Sequence, residues 1–200
     1  MSAAARRAWV GTAFALLLAA CASPPLKLYT LTDAPPDSDP PVKRSTGPVI
    51  MVDRIRVPGY LDTQDLMVRR GGVLERSLTG RWASRLSVGA TDFMTDQLAV
   101  RRPDAVVTDG TMAGVPDYEI RVHVGELDLT SAGEAVMAAD WQIIPRDAQG
   151  PIAWEQIRFT MQGSVADDAS VAHLQRQMFQ RLAAAIDERL TAAMDVSSLR

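Results

Sequence analysis

Tyr118-Glu119-Ile120-Arg121-Val122-His123-Val124 alternates apolar and polar residues without a break. That period of two belongs to a strand with one buried and one wet face. After Gly125 the apolar residues move to Leu127 and Leu129, and this change of register predicts a β-bulge at Gly125-Glu126. Ala135 to Ile144 predicts the next strand, and Asp147-Ala148-Gln149-Gly150 turns the chain into a third, Ile152 to Met161. The three make a meander. Beyond it, Asp167-Asp168 offers N-caps to a long helix with an apolar stripe at Val171, Leu174, Met178, Leu182, Ala185, Ile186 and Leu190. On the N-terminal side, Leu86, Ala90, Phe93, Met94 and Leu98 recur at helical spacing. They predict a helix over Leu86 to Val100, weakened by Gly89 and ended by Arg101-Arg102-Pro103, with a short strand at Val106 to Thr108. Val49 to Val57 reads as a strand closed by Pro58-Gly59, and Leu66 to Arg69 and Val73 to Arg76 flank Gly71-Gly72 as a hairpin. Strands in hairpins with segregated helices predict an α+β two-layer sandwich, with two main helices on one mostly antiparallel, or mixed, sheet. A doubly wound parallel fold would need a helix between nearly every strand pair, and those helices are missing.

The N-terminal region reads differently. Arg6 and Arg7 precede thirteen uncharged residues, Ala8 to Ala20, a run shorter than the roughly 20 apolar residues a bilayer span takes. A positive start, a short apolar stretch and small residues at its end are the layout of a secretory signal peptide. Leu18-Ala19-Ala20-Cys21 resembles the lipobox of bacterial lipoproteins. The resemblance implies cleavage before Cys21, a diacylglyceryl group on its sulfur, and a new amine open to acylation. An ordinary signal peptide with an incidental cysteine, or a buried apolar helix, is the plainer reading. Cys21 is the only cysteine, so no disulfide can form within the chain. A free thiol in an exported protein is an oxidation liability that a lipid cap removes. Arg6-Arg7 lacks the polar residue that usually precedes a twin-arginine pair, which favours Sec export.

Cleavage there divides the chain into a leader (residues 1–20), a lipidated tether (21–26) and one domain (27–200). Seven of the twelve prolines lie between Ala22 and Pro48, marking tether and a Pro-rich loop at 33–48. Inside that region Lys27-Leu28-Tyr29-Thr30-Leu31 is a strand candidate. If it joins the sheet, the free tether is Ala22 to Leu26, roughly 15 Å in extended polyproline geometry; if not, the tether runs to Pro48 and spans roughly 80 Å. Tyr29 and Leu31 on one face favour the short tether. Without the leader, 19 Lys and Arg face 24 Asp and Glu, a net charge of −5. A mildly acidic body with no basic run has no electrostatic footprint for nucleic acid. It has no charge attraction to anionic headgroups either, so the lipid must supply the anchoring.

The search for catalytic chemistry returns little. Neither His123 nor His173 belongs to a metal-ligand cluster such as His-Glu-x-x-His. No nucleophile elbow, phosphate loop or dinucleotide fingerprint occurs. Asp167-Asp168 reads as a helix cap and Glu126 with Asp128 as a solvated strand end. No catalytic residue, metal site or cofactor is expected, apart from the covalent lipid. Two segments are left over: Val57-Pro58-Gly59-Tyr60-Leu61-Asp62 and Arg81-Trp82-Ala83. Tyr60 and Leu61 could pack a turn over the core and Trp82 could lid the first helix, the commoner fate of single aromatics. Exposed together, Tyr, Trp and Arg would suit the centre of an interface.

These segments also carry a family likeness. A lipobox, Tyr29-Thr30-Leu31, a strand ending in Pro58-Gly59-Tyr60-Leu61-Asp62, a hairpin, and Arg81-Trp82-Ala83 before a helix together resemble the PqiC-like family of ABC-type transport auxiliary lipoproteins. The chain departs at Thr63-Gln64-Asp65, where the family often has Arg-Pro-Gln, and at Ser84-Arg85, where an acidic-Pro pair is common. The resemblance implies a non-catalytic periplasmic lipoprotein serving an MCE-type intermembrane lipid transport system. Its partners would be the membrane, through its lipid, an MCE-domain protein, in many systems an ABC transporter, and further copies of itself. Ala22-Ser23 after the cysteine lacks the Asp that retains lipoproteins at the inner membrane, which implies the periplasmic leaflet of the outer membrane. Tyr60, Leu61, Asp62, Arg81 and Trp82 are the partner-binding candidates. The rival functions are a stand-alone periplasmic lipid carrier, which needs a deep apolar cavity, and a lipid-anchored enzyme.

Overall fold

The computed structural model describes residues 25–32, 46–110, 115–147 and 154–198. Cys21, the leader, most of the Pro-rich loop and the 148–150 turn lie outside them. The meander forms as its alternation predicts. Strands β6 (Tyr118–Leu129), β7 (Glu134–Pro145) and β8 (Trp154–Gln162) pair antiparallel in sequence order. Register slips between Val124 and Glu126, so Val122, Val124, Leu127 and Leu129 all reach the core. The bulge is where the residues place it.

The other strands divide between this sheet and a second one. β2 (Val49–Val52) lies beside β6 and carries β5 (Val106–Thr108) on its other edge, both pairings parallel. The main sheet therefore has the order β5-β2-β6-β7-β8 and is mixed. After Val52 the chain leaves the ladder, makes one bridge at Arg56 opposite His123, and turns away at Pro58. Its buried residues shift register across the break, from Ile50 and Val52 to Ile55. The hairpin that follows, β3 (Asp65–Arg70) and β4 (Val73–Trp82), recruits β1 (Lys27–Tyr29) into a second, three-stranded sheet, β1-β4-β3. A single bridge, Arg69 to Thr130, links it to the first. Gly71, at φ 61°, opens the hairpin turn, the first position of a two-residue loop where positive φ suits glycine. β1 runs parallel to the end of β4, with Tyr29 opposite Trp82. Leucine 31 lies beyond the strand, buried. The fold is α+β, with its strands divided between two mixed sheets.

Two helices cover the sheets: α1 (Leu86–Arg101) and α2 (Asp168–Ser198). Phe93, Met94 and Leu98 from α1 meet Met178, Phe179 and Leu182 from α2 in a core shared with Ile120, Leu129 and Met137. All the stripe residues of α2 are buried except Ala185 at its border. Phe179 and Ala183 widen the buried face, as a helix touching α1 and β7 together requires. Its N-cap is Asp167, whose Oδ1 accepts the Ser170 N–H at 2.7 Å. Those hydrogen bonds from Ser170 hold the Asp167 carboxyl below its ordinary range. Asp168 is used otherwise: it accepts the Thr79 hydroxyl at 2.7 Å. A Cβ on Gly80 would stand 2.7 Å from the Asp168 carboxyl carbon, so only glycine lets β4 pass this close.

Candidate partner-docking site

The leftover segments converge. Asp62 and Thr63, in the loop from β2 to β3, meet the start of α1, which has no side-chain cap of its own at Arg85. Asp62 Oδ1 accepts the Ser87 N–H at 3.1 Å and the Thr63 carbonyl accepts the Leu86 N–H at 3.1 Å. Two amides of the first turn are thus satisfied from a distant loop. Gln64 continues the seam: its carbonyl accepts the Trp82 N–H at 2.7 Å and its side chain donates to the Ala83 carbonyl at 3.1 Å. Ala83 N–H in turn donates to the Tyr29 carbonyl at 2.8 Å. Arg81 reaches Asp65 at 3.1 Å and donates to the carbonyls of Ser77 and Gly80. The Tyr-x-Leu, Tyr-Leu-Asp and Arg-Trp-Ala stretches are three sides of one junction.

Burial separates the five candidates. Leu61 and Trp82 are core residues, while Asp62 and Arg81 are held in the contacts above. Tyr60 alone projects, 51% exposed, from the turn closed by Leu61 N–H on the Pro58 carbonyl. Beside this loop lies an open groove of about 590 Å³, lined by Arg54, Arg56, His123, Asp140 and Trp154 among others. Trp154, at the start of the edge strand β8, is 63% exposed. His123 Nδ1 lies 3.0 Å from Asp140 Oδ1. Arg54 and Arg56 are exposed and have no ion-pair partner among the described residues. Trp154 and unpaired arginines line the groove, and Tyr60 stands on the turn between its lining residues Val57 and Asp62; these residue types are the composition of an interface centre. Sequence reasoning missed Trp154, Arg54 and Arg56, because a strand's edge and an unpaired cation are properties of the folded neighbourhood.

A model of the family described as "ABC-type transport auxiliary lipoprotein component" matches residues 29–187, from Tyr29 in β1 to Asp187 within α2. The chain belongs to this family. Two solved structures share the fold of this auxiliary lipoprotein. A Xanthomonas campestris protein of family DUF330 is 16% identical with TM-score 0.63, over 86% of this chain and 99% of that one. An uncharacterized protein is 14% identical with TM-score 0.66, over 83% and 99%. No curated protein matches the chain.

The family's departures at 63–65 now have a physical reading. The Thr63 and Gln64 carbonyls of the junction could come from any residue, whereas the Gln64 side chain on Ala83 and the Asp65 carboxylate on Arg81 are bonds particular to this chain. Asp62→Ala in this auxiliary lipoprotein should cost about 1 kcal/mol, the ordinary worth of a helix N-cap. Thermal melting should show a drop of a few degrees; an unchanged melt would mean the 3.1 Å bond contributes nothing.

The groove also brings Ser87 near His123 and Asp140. A hydrolytic triad needs the serine hydroxyl within hydrogen-bond reach of the imidazole. No hydrogen bond joins Ser87 to His123; the contacts of Ser87 are its amide on Asp62 and its carbonyl under Thr91. No group of metal-binding side chains occurs among the described residues. A pocket beside Trp82 holds about 60 Å³, room for a water or two and far below a lipid chain. Two larger concavities, of about 590 and 330 Å³, are open to solvent.

Proposed function

We propose that this auxiliary lipoprotein is a lipid-anchored docking component of an MCE-type intermembrane lipid transport system. Cys21 carries the lipid, the periplasmic leaflet of the outer membrane receives it, and the domain holds the end of the lipid conduit there. An MCE-domain protein, with its ABC transporter, is the partner. Family membership supports the transport role, and the Leu18-Ala19-Ala20-Cys21 sequence supports the anchor. One observation carries the docking reading: in a motif otherwise consumed by its own junction, Tyr60 stands in solvent beside the groove of Trp154, Arg54 and Arg56. The small size of the pocket beside Trp82 and the openness of the two larger concavities weigh against the stand-alone carrier.

Two experiments test the parts separately. Tyr60→Ala should weaken capture of the MCE partner from membranes by about 2 kcal/mol, roughly thirtyfold, with an unchanged melt. A fully folded variant that captures its partner undiminished removes Tyr60 from the interface. Cys21→Ser should abolish labelling by radioactive palmitate and leave the leader uncleaved. Normal labelling of that variant would end the anchoring argument.

A further inference from the structure

The anchor and the domain are joined by very little chain. Four peptide steps separate Cys21 from Pro25, where the described structure begins, and β1 follows at Lys27. Even fully extended, those steps reach about 15 Å. Whatever surface surrounds β1 must therefore lie against the membrane that holds the lipid. That surface is apolar. Leu26 is 56% exposed and Leu28 64%, two residues apart and so on one side of the strand. Leu78 on the neighbouring strand, 82% exposed, is the most exposed large apolar side chain among the described residues. The register puts it close: Lys27 stands opposite Gly80 and Leu28 opposite Arg81, so Leu78 is two residues from the pairing and one strand spacing away.

The presentation of Leu78 is built. β4 departs from the ladder between Arg76 and Arg81. There the Ser77 hydroxyl accepts the amides of Thr79 and Gly80 at 3.0 and 2.9 Å, turning the chain outward. Thr79 then fastens the turn to Asp168 at the start of α2. Leucine at the tip of a pinned turn, with no core to enter, has no use for its side chain in folding.

We infer that Leu26, Leu28 and Leu78 form a membrane-contacting patch that seats the domain on the bilayer beside its anchor. The occupant is the lipid surface itself. The acyl chains on Cys21 supply the attachment, and the patch supplies orientation. This rests on the lipidation of Cys21.

The test uses the full, lipidated chain reconstituted sparsely in phosphatidylethanolamine and phosphatidylglycerol vesicles. Lipidation consumes the only native thiol, so Leu78→Cys offers a single site for an environment-sensitive dye. Val100→Cys is the comparison: 73% exposed and roughly 20 Å along α1 from Leu86, at whose end β1 lies. The dye at 78 should shift to the blue and be quenched several-fold more strongly by nitroxide-bearing lipid than the dye at 100. Equal quenching at the two sites overturns the proposal. So does a blue shift at 78 that grows with protein density and resists lipid quenching, since a second copy of the chain would then be covering the patch. Two dyes per chain, with no flotation on vesicles, would mean that Cys21 is free. That result removes the anchor reading and the patch with it, and it is distinguishable from a patch that fails on an anchored protein.

Discussion

Leu182→Asp abolishes the cooperative melt of the domain, or lowers it so far that little native protein remains at 37 °C. Leu182 is fully buried at the middle of α2, which packs on α1, on β7 and on the ends of β3 and β4. The substitution removes apolar contacts and places a carboxylate where no cation waits. An unpaired buried charge costs several kcal/mol, against the 5–15 kcal/mol that holds an ordinary domain together. The pH dependence has a definite sign. Burial raises the introduced carboxyl's folded pKa above its unfolded value of about 3.9. Between those values the folded state holds the extra proton, so stability falls as pH rises through that window and is lost above it. The variant should therefore be least damaged in acid. A melt like wild type at neutral pH, followed by circular dichroism, would mean that the α2 stripe faces water.

How this prediction became available shows what the residues disclose. Alternation from Tyr118 to Val124, the slip at Gly125 and the stripe on α2 are local patterns, and each reports one burial decision per residue. They placed the bulge, the meander and both helices. Sheet membership is different. Nothing in Leu66 to Arg76 distinguishes a hairpin that extends the main sheet from one that recruits β1, because pairing partners are chosen across long separations. The second arm of the predicted hairpin stops at Arg76, short of the irregular stretch Ser77-Leu78-Thr79-Gly80, where the Ser77 hydroxyl turns the chain. That stretch is a bulge inside a strand that runs on to Trp82. The α1 cap was invisible for the same reason: Asp62 lies 25 residues before Ser87.

The site was half legible. The motif residues do meet, but most of them meet each other, and a sequence cannot say which member of a cluster is left facing out. Trp154 falls inside the third strand predicted over Ile152 to Met161, a reading that says nothing of its exposure. Its exposure follows from β8 being an edge strand, with no neighbour beyond it in the order β5-β2-β6-β7-β8. Arg54 and Arg56 needed the break after Val52 to be seen: beyond it Ile55 is buried and an arginine on each side is in solvent. A fixed structural role for the junction fits the part proposed for Tyr60, since the loop bearing it is held by bonds that do not involve its ring.

Trp82→Ala separates those two roles, and its expected effect is the second largest. The indole is 3% exposed, beside Tyr29 and Leu86. Truncating a buried tryptophan costs roughly 3–5 kcal/mol. Here the low end is expected, because the small pocket already beside the ring lets water into part of the void. The backbone bonds from Trp82 to Gln64 and from Ala83 to Tyr29 survive the change, so β1, β4 and the β2–β3 loop should keep their places in the molecules that remain folded. Urea denaturation should show a lower midpoint at unchanged slope, and Trp82→Phe should recover most of the loss. Partner capture should then fall only in proportion to the unfolded fraction, and return to wild type under conditions where the variant is fully native. Tyr60→Ala should do the reverse, losing capture with its midpoint intact. A native Trp82→Ala protein that cannot hold its partner would return the tryptophan to the interface, and with it the claim that the junction is purely structural would fall.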